Sequence, residues 1–411
     1  MNIKILGVSS DSIEGIKTKI KNNDFSFSKT DKIKASFLKS ETNDFLKEFE
    51  SACENTDEFI KTENMFLYKG KNIEKKAFLF PGQGSQYVNM GKEIKDIFQS
   101  DFFEKADEIF NNVSSKKDLT SLIYTNDEDI KRHQEELTNT ENAQPAIGLV
   151  SAFYQYVLAK FNIFPNASSG HSFGELTALY SAGVIDFEEF IFLSSSRGKV
   201  MAESSKGKDA GKMMAVLSPI DKIEKIINEE NLELTIANHN SPKQNVVSGK
   251  SDEIEKASKI FRKHKLRGII LPVSAAFHSP LVKDALNPFT EILEKINFSS
   301  PKIPVTSNTT GNFHNSNADK IKENLSKQLT NPVLFTNNLN TLYNDGIRLF
   351  IESGPKKVLT DLGKQTLLQN NSFFISVDES NGKEALKDFA KVLCLCLVLG
   401  FDPDIKKWNE L

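Results

Sequence analysis

The segment Gly170-His171-Ser172-Phe173-Gly174 restricts the fold of this chain more than any other. A Gly-x-Ser-x-Gly run of this kind exposes its serine only on a tight turn between a strand and a helix. Ala167-Ser168-Ser169-Gly170 supplies a strand-like lead, and Leu176 to Ala182 a helical continuation. The flanking glycines let neighbouring chain segments pass closely, and the helix aims its N-terminal N–H groups at the serine. Alone, the pentapeptide also reads as a serine at a helix start. A second element of the same kind lies upstream. Ala77-Phe78-Leu79-Phe80 is a short, wholly apolar strand running into Pro81-Gly82-Gln83-Gly84-Ser85-Gln86. Open α/β sheets present ligands where buried strands end in such turns. Gln144 to Phe161 reads as a long apolar helix, and Ile303 to Ser307 and Leu349 to Glu352 as further strands. The expected class is α/β.

With 411 residues the chain is long enough for two or three domains. Residues 1–75 read as a small α+β adaptor: a strand from Asn2 to Val8, a helix from Asp11 to Asn22 capped by Asp11, and a helix from Thr42 to Asn55 with Phe45, Phe49 and Ala52 on one face. Residues 76–411 form the main domain, with an insert at about residues 205–275. That insert reads strand (Met213–Leu217), helix (Ile220–Glu229), two strands (Leu234–Ala237 and Gln244–Ser248) around an Asn238-His239-Asn240-Ser241-Pro242 turn, helix (Asp252–His264) and strand (Gly268–Val273). The order is ferredoxin-like. The large domain resumes at His278, and Asn312 to Asp319 is a polar loop.

A net charge of −3 provides no broad basic field, which argues against nucleic acid as a partner. The longest apolar run, Val392 to Leu399, is far short of the ~20 residues that span a bilayer. The N-terminus lacks the apolar core of a signal peptide. Cys53, Cys394 and Cys396 suit a reduced, cytoplasmic setting, and none has a neighbour that would lower its pKa.

A serine hydroxyl is a poor nucleophile without a base. His133, His264 and His314 lie among polar residues and read as solvated. His171 sits on the turn itself, His239 can border the site, and His278 ends an apolar stretch at a domain junction, where clefts form. His278 is therefore the favoured base. Arg197, behind the apolar Phe187–Leu193 helix, reads either as a solvated helix end or as a buried guanidinium able to grip a carboxylate at two points.

Together, Phe80-Pro81-Gly82-Gln83-Gly84-Ser85-Gln86, Gln144-Pro145-Ala146, Gly170-His171-Ser172-Phe173-Gly174-Glu175, Arg197-Gly198, Ala276-Phe277-His278, Asn331-Pro332-Val333 and Glu352-Ser353-Gly354-Pro355 resemble the malonyl-CoA:acyl-carrier-protein transacylases and the acyltransferase domains of polyketide and polyunsaturated-fatty-acid synthases. The resemblance covers about residues 77 to 378. It implies an α/β-hydrolase-like large subdomain holding the ferredoxin-like insert. It implies Ser172 as nucleophile and His278 as base, with the histidine oriented by the backbone carbonyl of Gln328 rather than by an acidic side chain. The N–H groups of Gln83 and Phe173 would form the oxyanion hole, Arg197 would hold the malonyl carboxylate, and Gln144 would line the same pocket. The implied substrates are malonyl-CoA and the phosphopantetheine thiol of an acyl carrier protein, with no metal or redox cofactor.

Relatives that take malonyl tend to read His-Ala-Phe-His up to the base, and those that take methylmalonyl Tyr-Ala-Ser-His. This chain reads Ala275-Ala276-Phe277-His278, so Phe277 fits malonyl and Ala275 departs from the pattern. Residues 1–75 resemble the linker ahead of acyltransferases in modular synthases, a docking surface for a ketosynthase or synthase. The chain then reads as an excised domain or as an enzyme serving a synthase in trans. The rival readings are an acyl-thioester hydrolase using the same Ser/His pair and a non-catalytic docking module.

Overall fold

The computed structural model describes residues 3–411, apart from 40–43, 115–116, 127–128, 208, 274 and 369–370. The described strands form three four-stranded sheets. The central one runs Phe373–Ser376, Ile347–Glu352, Lys75–Phe80, Ala167–Gly170, parallel throughout. Three of its strands are largely apolar because helices cover both faces, and Ala167–Gly170 is built of small buried residues. Thr140–Lys160 and Phe187–Ser204 pack together over one core, while Phe335–Asn344 and Val358–Thr366 close the other. The expected strand at Ile303–Ser307 is reduced to isolated bridges, Val305 to Ser168 and Thr306 to Phe313. Pro304 accepts a hydrogen bond from Ser168 N (2.9 Å) but has no N–H to return, which interrupts the ladder.

The insert is an antiparallel sheet in the order Gly268–Ile270, Lys212–Val216, Gln244–Gly249, Thr235–Ser241, with helices Ile220–Glu229 and Ser251–Lys263 over its own core. Fourth, first, third, second is the ferredoxin-like order. One expectation is corrected. The strand Thr235–Ser241 runs through most of the anticipated Asn238–Pro242 turn. Two register irregularities accommodate its polar residues, and Asn238 and Asn240 face the cleft rather than solvent. The same strand is stitched to the large subdomain by His239 N→Val333 O (2.9 Å) and Val333 N→Ala237 O (2.9 Å).

The N-terminal sheet is antiparallel, in the order Lys4–Ser10, Ile33–Lys39, Met65–Tyr68, Phe59–Lys61. Helices Ile13–Lys21 and Phe45–Cys53 cover one face. Ser12, not Asp11, caps the first helix, through Gly15 N (3.0 Å). The anticipated starts at Asn2 and Thr42 lie outside the described residues. The other face packs on the C-terminal helix Ala385–Val398, where Ser36 Oγ reaches Cys394 O (3.1 Å). Trp408 Nε1 donates to Ile3 O (3.0 Å), and Asn409 bonds both N and O of Ile5. The two ends of the chain are therefore locked together. Burial pushes the Cys394 and Cys396 thiols up to about 12, which leaves them unreactive. Among the described residues no helix is long and apolar enough to cross a membrane.

Candidate active site

The carboxyl ends of the neighbouring strands Lys75–Phe80 and Ala167–Gly170 carry the glycine-rich turns, and the turns lie against each other. A methyl group on Gly174 would meet Phe80 O at 2.0 Å, and one on Gly82 would meet His171 O at 2.5 Å. Only glycine permits this approach. Ser172 sits at the apex with φ 53°, a left-handed conformation that costs a serine free energy. Asn308 holds it there: Oδ1 accepts from Ser172 N (2.6 Å) and Nδ2 donates to Gly170 O (2.7 Å).

His278 comes from the junction after the insert, also at positive φ (57°). Its Nε2 lies 2.7 Å from Ser172 Oγ and its Nδ1 2.8 Å from Gln328 O. A carbonyl oxygen only accepts, so Nδ1 carries the proton and the Nε2 lone pair faces the hydroxyl. Burial, together with the nearby Arg197 cation, pushes His278 down to about 3, which keeps it neutral with its Nε2 lone pair free.

Arg197 lies within the helix Phe187–Ser204 rather than at a solvated end, and is 2% exposed. Its Nη1 donates to Gln144 Oε1 (2.8 Å) and its Nη2 to Gln328 Oε1 (3.0 Å). Among the described residues the cation is thus met by two neutral amides and by no bonded carboxylate. Burial lowers it to about 10, opposed by the field of Glu175.

Ser172, His278, Arg197, Gln83, Phe173 and Phe277 all line one cavity of about 240 Å³ between the subdomains. Phe173 is the residue from which the helix Gly174–Ser181 starts, so its N–H belongs to that helix's positive end. Gln328, expected only as a carbonyl, also uses its side chain, as the acceptor for Arg197.

The other histidines are placed as follows. His171 packs edge-on against Phe335 and bonds Asn240 Oδ1 (2.7 Å). His239 is half-buried away from the cavity lining, His264 pairs with Glu230 (2.8 Å), and His133 lies 3.3 Å from Thr125. His314 corrects the sequence reading: its side chain is fully buried, with Nε2 2.6 Å from Glu175 Oε1. The polar composition around it concealed this. Sequence reasoning also assigned nothing to Asn308 or Glu175. Glu175 lay in view beside the elbow, where an acid in a helix's first turn reads as ordinary dipole compensation.

A model of the acyl transferase domain family matches residues 77–389. The malonyl CoA-acyl carrier protein transacylase of Bacillus subtilis strain 168 is 35% identical over 315 residues, covering 75% of this chain and 95% of that protein. A malonyl-transacylase solved in complex with its type II polyketide synthase acyl-carrier protein is 30% identical with a TM-score of 0.67, over 77% of this chain and 100% of that one. The acyltransferase domain of the second module of the salinomycin polyketide synthase covers 100% of this chain and 86% of its own, with a TM-score of 0.74. At 24% identity that last likeness shows the fold, the N-terminal sheet included. With the family's domain matched from the central strand to the C-terminal helix, the chain belongs to the acyl transferase domain family.

Proposed function

We propose that this protein moves a malonyl group from malonyl-CoA, through an ester on Ser172, to the phosphopantetheine thiol of an acyl carrier protein, in polyketide or fatty acid synthesis. The observation that carries this reading is Arg197: a buried cation with no bonded carboxylate among the described residues, in the same cavity as the Ser172–His278 pair. A free carboxylate on the acyl group supplies the missing charge.

Ser172 Oγ attacks the thioester carbonyl carbon while its proton passes to His278 Nε2. The oxyanion is held by the N–H groups of Gln83 and Phe173. The C–S bond then breaks, and the proton on His278 leaves with the CoA thiolate. In the second half the carrier thiol gives its proton to His278, attacks the ester, and Ser172 Oγ leaves and regains that proton. The chemistry calls for no metal or redox cofactor. Free cysteines fit a cytoplasmic setting. We assign residues 1–75 to docking a ketosynthase or synthase, on their likeness in fold to a synthase domain's N-terminal part.

Hydrolysis of monocarboxylic thioesters fits less well, because such an acyl group leaves Arg197 uncompensated in a desolvated pocket. Incubation with malonyl-CoA and with acetyl-CoA, in the presence and absence of a phosphopantetheinylated carrier, tests the choice. Malonyl-carrier should accumulate with little free malonate. Rapid release of acetate, with no malonyl-enzyme, would refute the transferase reading.

Phe277 is 6% exposed and lines the cavity beside His278. Its ring occupies the space that an α-methyl branch needs. Phe277→Ser should raise methylmalonyl-CoA use relative to malonyl-CoA by roughly 10-fold or more, the scale of discrimination that a small group in a pocket provides. Equal ratios for both enzymes in a competition assay would remove this role.

A further inference from the structure

His278 Nδ1 is met by the backbone carbonyl of Gln328 and, among the described residues, by no acid. Yet a buried carboxylate stands behind that carbonyl. Glu175 is fully buried, in the first turn of the helix that follows Ser172. Its Oε1 accepts from His314 Nε2 (2.6 Å), and its Oε2 accepts from Gln328 Nε2 (2.5 Å) and from Asn308 N (3.0 Å).

Two of these partners also touch the reacting pair. Gln328 presents its main-chain oxygen to His278 Nδ1, and its Nε2 also reaches Ser172 O (3.0 Å). Asn308 holds Ser172 N and Gly170 O. The Gln328 amide is fixed end for end, with its oxygen on the Arg197 cation and its nitrogen on the Glu175 anion. Its orientation is therefore set by two opposite charges. That in turn sets the carbonyl that orients the base. His314 completes the carboxylate from a separate segment of chain, so the elbow helix, the 305–314 segment and the end of helix Ala318–Gln328 meet at one side chain.

We propose that Glu175, held by His314, is a positioning residue that keeps Gln328, and through it His278 and the strained Ser172 turn, in reacting geometry. The inference rests on the acyl-transfer reading of Ser172 and His278. It goes beyond that reading in giving the dyad a remote acidic member that never touches substrate. A buried carboxylate is costly unless it is hydrogen-bonded, and two of the three donors to Glu175 belong to the scaffold that holds Ser172 and His278.

Glu175→Gln keeps the shape but presents an amide N–H₂ to groups that are themselves donors. It should lower kcat for malonyl transfer by about 10- to 100-fold, the range seen when outer partners of functional histidines are removed, with KM for malonyl-CoA changed by less than roughly 3-fold. His314→Ala should lose about 10-fold in kcat, and His314→Gln, which can still donate to Glu175, should recover most of it. Thermal melts followed by circular dichroism accompany each variant. A folded Glu175→Gln enzyme with wild-type kcat would overturn the inference alone. So would His314→Gln no better than His314→Ala, a comparison that stands if Glu175→Gln does not fold. Wild-type protein that transfers no acyl group to the carrier would instead overturn the functional reading, and the inference with it.

Discussion

His278→Ala is expected to slow acylation of Ser172 by about 10⁴-fold or more, the scale seen when one member of a serine–histidine unit is removed. Among the described residues His278 is the side chain bonded to Ser172 Oγ. His171 turns its Nε2 to Asn240 Oδ1 and packs edge-on against Phe335, and burial lowers its pKa. The alanine leaves the Gln83 and Phe173 N–H groups untouched, so residual binding of malonyl-CoA should survive. Stopped-flow release of CoA measures the step. A variant within 10-fold of wild type would exclude His278 as the base.

The same residue bears on what is expected at acid pH. Because burial and Arg197 hold His278 at about 3, well below the usual 6.5, the base stays neutral where an ordinary histidine is charged. Wild-type kcat/KM should therefore show no limb near 6.5 from this group. The linkage runs the other way for stability. The unfolded chain takes up the proton first, so the contribution of neutral His278 is complete above about 6.5 and is lost as pH falls from there toward about 3. Activity per folded molecule should outlast the fold on acidification.

Arg197→Ala is the second large effect. A buried, charge-assisted fork on a carboxylate contributes about 3 kcal/mol, or roughly 100-fold, to discrimination between malonyl and acetyl groups. The substitution should cut the ratio of kcat/KM for malonyl-CoA over acetyl-CoA by that factor. Rates with acetyl-CoA should hold or rise, since the uncompensated cation is gone. Stability should fall as well, because Gln144 and Gln328 lose their donor inside the cavity. The ratio is independent of how much enzyme is folded, so it separates the two losses. An unchanged ratio would remove the carboxylate clamp.

The elbow was legible in the sequence because its physics is local. Two chain turns that pass within a methyl group of each other require glycine at named positions, and those glycines are visible without a structure. His278 was legible from its place at a junction. The burial of Arg197 was not. Its Ser194-Ser195-Ser196 neighbourhood looks like a fraying helix end, yet Ser194 Oγ and Ser195 Oγ fold back onto Phe190 O and Ile191 O (2.7 Å each), and the helix continues to Ser204. The second half of the strand Thr235–Ser241, from Asn238 on, reads as a turn in sequence because Asn238 and Asn240 serve the cleft. The Glu175–His314 contact and the docking of the C-terminal helix on Ser36 join residues far apart in sequence. No local pattern encodes them.

Intact-mass measurement after incubation with an equimolar mixture of malonyl-, methylmalonyl- and acetyl-CoA tests Ser172 as the malonyl carrier most directly, with Ser172→Ala alongside. A single malonyl adduct on the wild-type protein, absent from Ser172→Ala, is the result expected from the geometry. An adduct retained by Ser172→Ala, or acetyl in place of malonyl on the wild type, would contradict it.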